Sequence, residues 1–253
     1  MNKTPYEITF FGPVSIRSDS ASLVVTDRKA MLLAFLLALR GTCSRHQLGS
    51  LLWPNSASER ALASLRVRIH KINKEFPGII VSNSSSVHLD PSVTHDIDFL
   101  SSDRQIPAQT ALQAHRGHLL SSLDFPDLPQ INVIVRHCRQ KTASLACSFL
   151  YSQVMNCLES KQYPQAVYFL HQILLTSPHN ETACRHLMRV HVLSGRRAAA
   201  IEAYESFRAG MREALGIEPD AKTRRLHLEI LMLQNEDENY LERMNMDLNS
   251  IIN

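Results

Sequence analysis

Residues 54–76, PNSASERALASLRVRIHKINKEF, carry the clearest structural pattern in the chain. Ser56, followed three residues later by Glu59, has the pattern of a capping box, which predicts a helix that begins near Ala57. Apolar side chains then recur at alternating steps of three and four, at Leu62, Leu65, Ile69, Ile72 and Phe76. At about 100° per residue they form one stripe, so this face is predicted to pack on a core.

The other side of this helix is polar and basic. The residues on the opposite face or on its flanks are Arg60, Ser64, Arg66, Val67, Arg68, Lys71 and Lys74. Five of these seven residues are cationic. On an arbitrary helix such a face is most often just solvated surface. The neighbouring segments decide whether it binds nucleic acid instead.

The composition is that of a globular protein with a basic N-terminal part. The 253 residues are 44% hydrophobic and 20% charged, which is enough to bury a core. Residues 1–100 contain 11 Lys and Arg and 8 Asp and Glu, whereas residues 101–253 contain 16 basic and 16 acidic residues. The whole net charge of +3 therefore lies in the part that holds the basic helix, and the second part suits protein contacts better than phosphates.

The cysteine pattern and the hydropathy exclude several classes of protein. The five cysteines are odd in number and contain no C-x-x-C pair, so neither a disulfide framework nor a zinc site is predicted. No signal peptide is recognisable, and the longest apolar run, residues 30–39, is far shorter than the ~20 residues that a bilayer requires. We expect a cytoplasmic protein with no metal, no cofactor and no membrane partner.

The segments before the basic helix predict a small sheet and two helices. Residues 6–16 and 23–26 are β-prone and are separated by turn signals at Gly12-Pro13 and Asp19-Ser20. Asp27 is then expected to cap a buried apolar helix that ends at Gly41. A second capping box, Ser44 with Gln47, begins a short helix that Pro54 ends.

After the basic helix, residues 79–82 and 87–89 predict a hairpin with a polar tip at residues 83–86. The order sheet, three helices and hairpin is that of a winged helix-turn-helix, whose third helix enters the major groove of DNA. Arg and Lys suit guanine, Ser64 suits a base edge or a phosphate, and Val67 suits a thymine methyl. This context favours the DNA-binding interpretation of the basic face.

The second part of the chain contains a helical repeat. Ala166 and Ala200 are 34 residues apart, as are Leu170 and Tyr204, which is the period of a tetratricopeptide helix pair. The predicted helices are 147–160, 165–176, 182–193 and 197–215, with a capping helix at 221–233. We therefore predict a mainly α fold with a small β component, divided into a winged-helix domain (1–98), an all-α tetratricopeptide-like domain (99–233) and a polar tail (234–253).

Several of these segments resemble, in order and spacing, the Streptomyces antibiotic regulatory protein family. They are FFGPVSIR (10–17), DRKAMLLAFLLAL (27–39), SERALASLRVRIHKI (58–72) and, most diagnostic, residues 187–230, which contain RAAAIEAY and LGIEP. The resemblance covers roughly residues 8–232. It implies an OmpR-type winged helix joined to a bacterial transcriptional activation domain, and two protomers on tandem direct repeats. The hairpin lacks the Gly-Tyr that many such wings carry, and the chain has no G-x-x-x-x-G-K-[ST] nucleotide-binding loop.

Two other classes of function compete with this interpretation. Twelve His and five Cys could serve an enzyme, but no catalytic motif or metal-spaced cluster is present, and His186 and His191 are expected to be hydrogen-bonded or solvent-exposed side chains of a repeat helix. His70 and His88 lie near the expected DNA surface. The remaining alternative is a tetratricopeptide protein–protein scaffold that has lost DNA binding.

The sequence thus predicts a DNA-binding transcriptional regulator, an activator rather than an enzyme. Its expected partners are double-stranded DNA through the third helix, and RNA polymerase or a second protomer through the helical repeats.

Overall fold

A computed structural model describes residues 6–18, 22–101, 106–107, 110, 119–120 and 125–233. The chain forms two compact units, Met1–Thr142 and Ala143–Asn253, which are treated separately below. The predicted domain boundary at residue 98 stays a prediction. The predicted turn at Asp19-Ser20 and the tail 234–253 lie outside the described residues.

The first unit begins with a four-stranded sheet. Its strands are β1 (Glu7–Thr9), β2 (Ser15–Arg17), β3 (Ser22–Val24) and β7 (Thr94–His95), in the spatial order β3-β2-β1-β7. The first three pair antiparallel, as predicted, and a φ of 81° at Gly12 allows the tight first turn. The fourth strand was not predicted, and it pairs parallel to β1.

Two helices lead from this sheet to the basic helix. Helix α1 (Arg28–Arg40) is capped as predicted, because the Asp27 carboxylate accepts the Ala30 N–H at 3.0 Å. Gly41 ends it at a φ of 70°. Ser44 likewise caps α2 (Arg45–Leu52) by accepting the Gln47 N–H at 3.2 Å. The next helix, α3, spans Ser58–Glu75.

The predicted capping box at Ser56 is wrong. The residue before α3 is Ala57, and no side chain caps the helix. The Ser56 N–H instead donates to the Trp53 carbonyl at 3.1 Å, so Ser56 closes the turn between α2 and α3. The helix consequently begins at Ser58, one residue later than predicted.

The two serines provide a matched test of these assignments. Ser44→Ala removes the oxygen that accepts the Gln47 N–H in the first turn of α2. The substitution is expected to lower the free energy of unfolding by about 1 kcal/mol. Ser56→Ala removes no capping bond and is expected to change it by less than about 0.5 kcal/mol. Chemical denaturation of both variants measures the difference, and equal losses would contradict the assignment of the caps.

The predicted hairpin is present and follows α3 directly. Strand β5 (Ile80–Ser82) pairs antiparallel with β6 (Ser86–Leu89), which also pairs with β4 (Cys43–Ser44) to form a three-stranded sheet of order β4-β6-β5. At the tip, the Asn83 carboxamide accepts the N–H groups of Ser85 and Ser86 at 2.9 and 2.7 Å. The side chain of Asn83 thus fixes the turn locally.

A short helix, α4 (Asp98–Ser101), and a long one, α5 (Pro129–Glu159), follow the hairpin. The boundary between the two units falls within α5. This helix begins 18 residues earlier than the predicted start at Cys147. Its buried residues recur every three or four positions from Ile131 through Val135, Cys138, Thr142 and Ala146 to Leu150.

The second unit continues with four helices, close to the predicted bounds: α6 (Tyr163–Thr176), α7 (Glu181–Leu193), α8 (Arg197–Leu215) and α9 (Ala221–Met232). The repeat positions Ala166, Leu170, Ala200 and Tyr204 are all buried, as the 34-residue period requires. Gly195, at a φ of 74°, makes the turn between α7 and α8. The predicted architecture, mainly helical with a small N-terminal β component, is confirmed.

Candidate nucleic-acid interface

Helix α3 separates its residues into a buried and an exposed side, as its sequence predicts. Ala61, Leu65, Ile69 and Ile72 are buried, and Leu62 is half-buried. Helices α2 and α3 pack against each other at Gly49, where a Cβ would lie at an ordinary van der Waals distance, 3.5 Å, from the Cβ of Ala61.

The predicted contact residues lie mostly on the exposed side. Arg60, Arg66, Lys71 and Lys74 are exposed, and Ser64 is half-buried. Val67 lies among these cations with 57% of its surface exposed. Because Val67 is exposed, its apolar side chain does not pack within its own unit. A side chain in this position is available to contact a base edge.

Arg68 differs from the other cations. It is half-buried, and its guanidinium forms an ion pair with Asp27, the capping residue of α1. Arg68 therefore ties α3 to the start of α1, and its freedom to reach a phosphate is smaller than that of Lys71.

Two polar residues that the sequence did not single out hold the hairpin, Asn73 from α3 and Arg45 from α2. Asn73 of α3 donates to the Ile80 carbonyl at 2.8 Å and accepts the Ile80 N–H at 3.0 Å. At the tip, Arg45 donates to the Asn83 carbonyl at 2.9 Å. Asn73 could have been noticed, because an asparagine inside a helix usually requires a specific partner.

The histidines considered for catalysis occupy structural positions. His186 is buried, with its ring edge-on to Tyr151 at 5.7 Å, and desolvation, together with Arg189 and Arg185, lowers the pKa of its imidazole to about 4. His191 is also buried, and its pKa is lowered by desolvation. His70 of α3 is exposed, and His88 of β6 is half-buried. Within the described parts of the chain, no three His, Cys, Asp or Glu side chains are grouped as metal ligands.

The buried imidazole of His186 predicts a loss of stability in acid. Its pKa lies near 6.5 in the unfolded chain and at about 4 in the fold, so the unfolded state binds more protons between these values. The free energy of unfolding is expected to fall by about 3 kcal/mol as the pH drops from 7 to 4. His171 and His191 shift in the same direction and add to the slope. His186→Phe should reduce it, and an unchanged slope in urea titrations of the variant would contradict this origin.

Comparison with known proteins identifies the family. The model of the bacterial transcriptional activator domain matches residues 103–231, just over half of the chain. The chain belongs to this family. The family consists of transcriptional regulators, and the resemblance to the Streptomyces antibiotic regulatory proteins is confirmed.

A solved structure has a fold similar to that of this family member. Mycobacterium tuberculosis EmbR, in complex with a low affinity phosphopeptide, is similar with a TM-score of 0.62 over 98% of this chain and 70% of that chain. The identity is 16%, so the likeness concerns the fold alone. No curated protein matches the sequence. Among the helices described, every one is too short or too polar to cross a membrane.

Proposed function

We propose that this chain is a sequence-specific DNA-binding regulator that activates transcription in the cytoplasm. The observation that carries the proposal is the exposed side of α3, where four cations surround an exposed valine on a helix whose other side is buried. Eighteen residues give a helix of about 27 Å, long enough to lie along the major groove. The hairpin, which Asn73 fixes to α3, would serve as the wing that touches the neighbouring phosphates.

The exposed residues of α3 divide into two roles. Arg60, Arg66, Lys71 and Lys74 supply the charge that phosphates and guanine edges bind. Ser64 donates to a base edge or a phosphate, and Val67 packs on a thymine methyl. Arg68 supplies less of this charge than the other cations, because its guanidinium is paired with Asp27.

The helical repeats would hold the protein partner. A groove of about 800 Å³ runs between α6, α7 and α8, and its walls include Leu174, Leu187 and Phe207. Stacks of helix pairs use such concave surfaces for protein contacts. RNA polymerase or a second protomer on tandem direct repeats is the proposed partner.

The test combines a genome-wide footprint with a salt titration of the full chain. We expect footprints at promoters that contain direct repeats, and an affinity for the bound sequence that falls with salt at a log–log slope of about 0.9 per phosphate contacted. Capture of a protein partner without any affinity for duplex DNA at low salt would instead support the scaffold function.

Val67 supplies a sharper test of base recognition. Val67→Ala removes two methyl groups from the contact and is expected to reduce discrimination at one base-pair position by about 1 kcal/mol. The affinity for unrelated DNA should stay the same, because no charge changes. Val133→Ala, an equally exposed valine on α5, is the matched control. Competition binding against singly substituted operators measures both, and a uniform loss across all sequences would contradict the assignment.

A further inference from the structure

The groove in the helical-repeat unit is as long as a short helix. Helices α6 and α8 both pack against α7, and residues of all three line the groove. The two lining residues from α7, Leu187 and His191, are buried, so α7 forms the base of the groove. The lining residues of α8 extend from Ala199 to Ala214. Fifteen steps at about 1.5 Å each give a length of about 22 Å, which is four turns of a helix.

The side of α8 that faces the groove carries small residues. They recur every three or four positions, at Ala199, Ala203, Ser206, Gly210 and Ala214. A Cβ at Gly210 would meet no other atom within 4 Å, so the space next to the helix is open at this point. Small side chains let the axis of a neighbouring helix approach closely. The groove therefore has the length and the surface that a further α-helix needs.

An extended peptide fits the groove less well than a helix does. Such a peptide brings backbone N–H and C=O groups that need partners once they leave water. Among the described residues that line the groove, none is Asn, Gln, Lys or Arg. The backbone groups of the three helices are themselves bonded within each helix. A helical occupant satisfies its own backbone and can bind through side chains alone.

Two carboxylates lie beside the small residues of α8. Glu202 and Glu213 line the groove and are exposed. They are eleven residues apart, which is close to three turns, so both lie on the same flank of the helix. Burial lowers the pKa values of His171 and His191, which also line the groove, so both imidazoles are neutral at pH 7. The groove therefore carries a net negative charge at this pH.

The charged residues on the other side of α8 are already paired. Arg208 lies 3.7 Å from Glu205, and Glu218 lies 2.7 Å from both Arg208 and Arg212. In contrast, the two glutamates of the groove form no ion pair with any residue that the structure describes. Charge complementarity therefore favours an occupant that brings two cations to this flank.

We propose that the groove binds an amphipathic α-helix of a partner protein, which carries two Lys or Arg residues eleven positions apart beside its apolar face. The apolar face packs on Leu187, Phe207 and the small residues of α8, and the two cations pair with Glu202 and Glu213. The tail of this chain has the wrong charge for this role, since residues 234–253 contain five acidic residues and one basic residue. The proposal names the chemistry of the protein partner in the proposed function, and to that extent it rests on that function.

A designed peptide and the full chain test the charge of the occupant. The peptide has about 18 residues, with leucines at alternating intervals of three and four, two lysines eleven positions apart on one flank, and alanine and glutamine elsewhere. A matched peptide has glutamate in place of both lysines. We expect fluorescence anisotropy to show about tenfold or more tighter binding of the lysine peptide. Equal binding of the two peptides would overturn the proposal.

The two carboxylates are tested by neutral substitutions. Glu202→Gln combined with Glu213→Gln should remove the preference for the lysine peptide. Glu159→Gln combined with Glu229→Gln removes two exposed carboxylates elsewhere in the helical-repeat unit and should keep the preference. A preference that survives the first pair of substitutions would contradict the assigned ion pairs and overturn the proposal.

Gly210 allows the groove itself to be closed. Gly210→Trp is expected to fill the groove and to weaken binding of the lysine peptide about tenfold or more, whereas Gly210→Ala leaves the groove open and should bind as the parent does. Both side chains enter open space and suit a helix better than glycine, so both variants should fold, which circular dichroism verifies. Undiminished binding of the peptide to Gly210→Trp would overturn the proposal.

Failure of this proposal is distinguishable from failure of the proposed function. Activation from a footprinted promoter and affinity for its DNA are measured for the parent and for Gly210→Trp. Lost activation at unchanged DNA affinity, together with no binding of the lysine peptide, would keep the groove as a partner site and overturn the basic helix as its occupant. If the parent binds no DNA, the proposed function fails, and the peptide titration still decides the occupant.

Light scattering of the full chain tests the remaining occupant, a second copy. We expect Gly210→Trp to leave the oligomeric state of the chain unchanged. A dimer that this substitution converts into a monomer would show that a second copy fills the groove, which would overturn the proposal.

Discussion

Replacing Arg66 and Lys71 together with alanine is expected to lower the affinity for operator DNA on the order of 50-fold at 0.1 M salt. Both side chains are exposed on the same side of α3, where each can neutralise one phosphate. Each phosphate contact contributes about 0.9 log unit of affinity for each tenfold decrease in salt concentration. Two lost contacts therefore remove about 1.8 log units between 1 M and 0.1 M salt. The slope of the salt titration should fall by about two units.

A control of equal charge keeps this test specific. Lys222→Ala combined with Arg225→Ala removes two exposed cations from α9 and changes the net charge of the chain by the same amount. We expect a less than about twofold change in affinity, because Lys222 and Arg225 belong to the helical-repeat unit and are not among the proposed phosphate contacts. Equal losses in the two double variants would show that the chain binds DNA through its net charge and not through α3.

Leu170→Ala is expected to lower the free energy of unfolding of the second unit by about 2–5 kcal/mol. Leu170 is fully buried on α6 at a repeat position, so its removal leaves a cavity as well as losing the transfer free energy of the side chain. A unit of this size has roughly 5–15 kcal/mol of stability in total, so the loss is a large fraction of it. Urea denaturation monitored by circular dichroism measures the change.

The same helix carries the control for this substitution. Leu175 lies five residues further along α6 with 61% of its surface exposed, so Leu175→Ala is expected to change stability by less than about 0.5 kcal/mol. A large loss in Leu175→Ala would mean that this side chain is covered by a partner in solution. A small loss in Leu170→Ala would contradict the placement of the repeat.

The features that sequence predicted well are those written in a long periodic pattern. The stripe from Leu65 to Ile72 fixes the orientation of α3, because any other rotation of the helix would expose it. Once the stripe is buried, Arg66, Val67 and Lys71 must point outward. The 34-residue spacing of Ala166 and Ala200 located the helix pairs in the same way, since both residues are fully buried.

The features that sequence missed depend on contacts between distant residues or on competing local bonds. Ser56 has the pattern of a helix cap, but its backbone N–H donates to the Trp53 carbonyl and closes a turn. No sequence rule decides between the cap and the turn. Strand β7 is only two residues long, so it carries no alternating pattern. The pairing of Arg68 with Asp27 joins residues 41 positions apart, and neither partner identifies the other in the sequence.

The early start of α5 was also missed, although the sequence contains the periodic pattern that predicts it. Ile131, Val135 and Cys138 continue the same buried stripe that Ala146 and Leu150 extend further along the helix. The polar and weakly apolar members, Thr142 and Cys138, concealed it. A helix interpretation that allowed small or sulfur-containing residues in the stripe would have found the start at Pro129.

The carboxylate of Asp96 accepts the N–H groups of Phe10 and Phe11 at distances of 2.9 and 3.2 Å, just beyond the pairing of β7 with β1. The first strand therefore cannot complete its bonds until residue 96 has left the ribosome. During synthesis, the segments before residue 96 therefore lack the bonds that join Phe10 and Phe11 to the residue after β7. A nascent chain halted before this point is expected to be degraded rapidly by proteases, and one halted well beyond it to resist them.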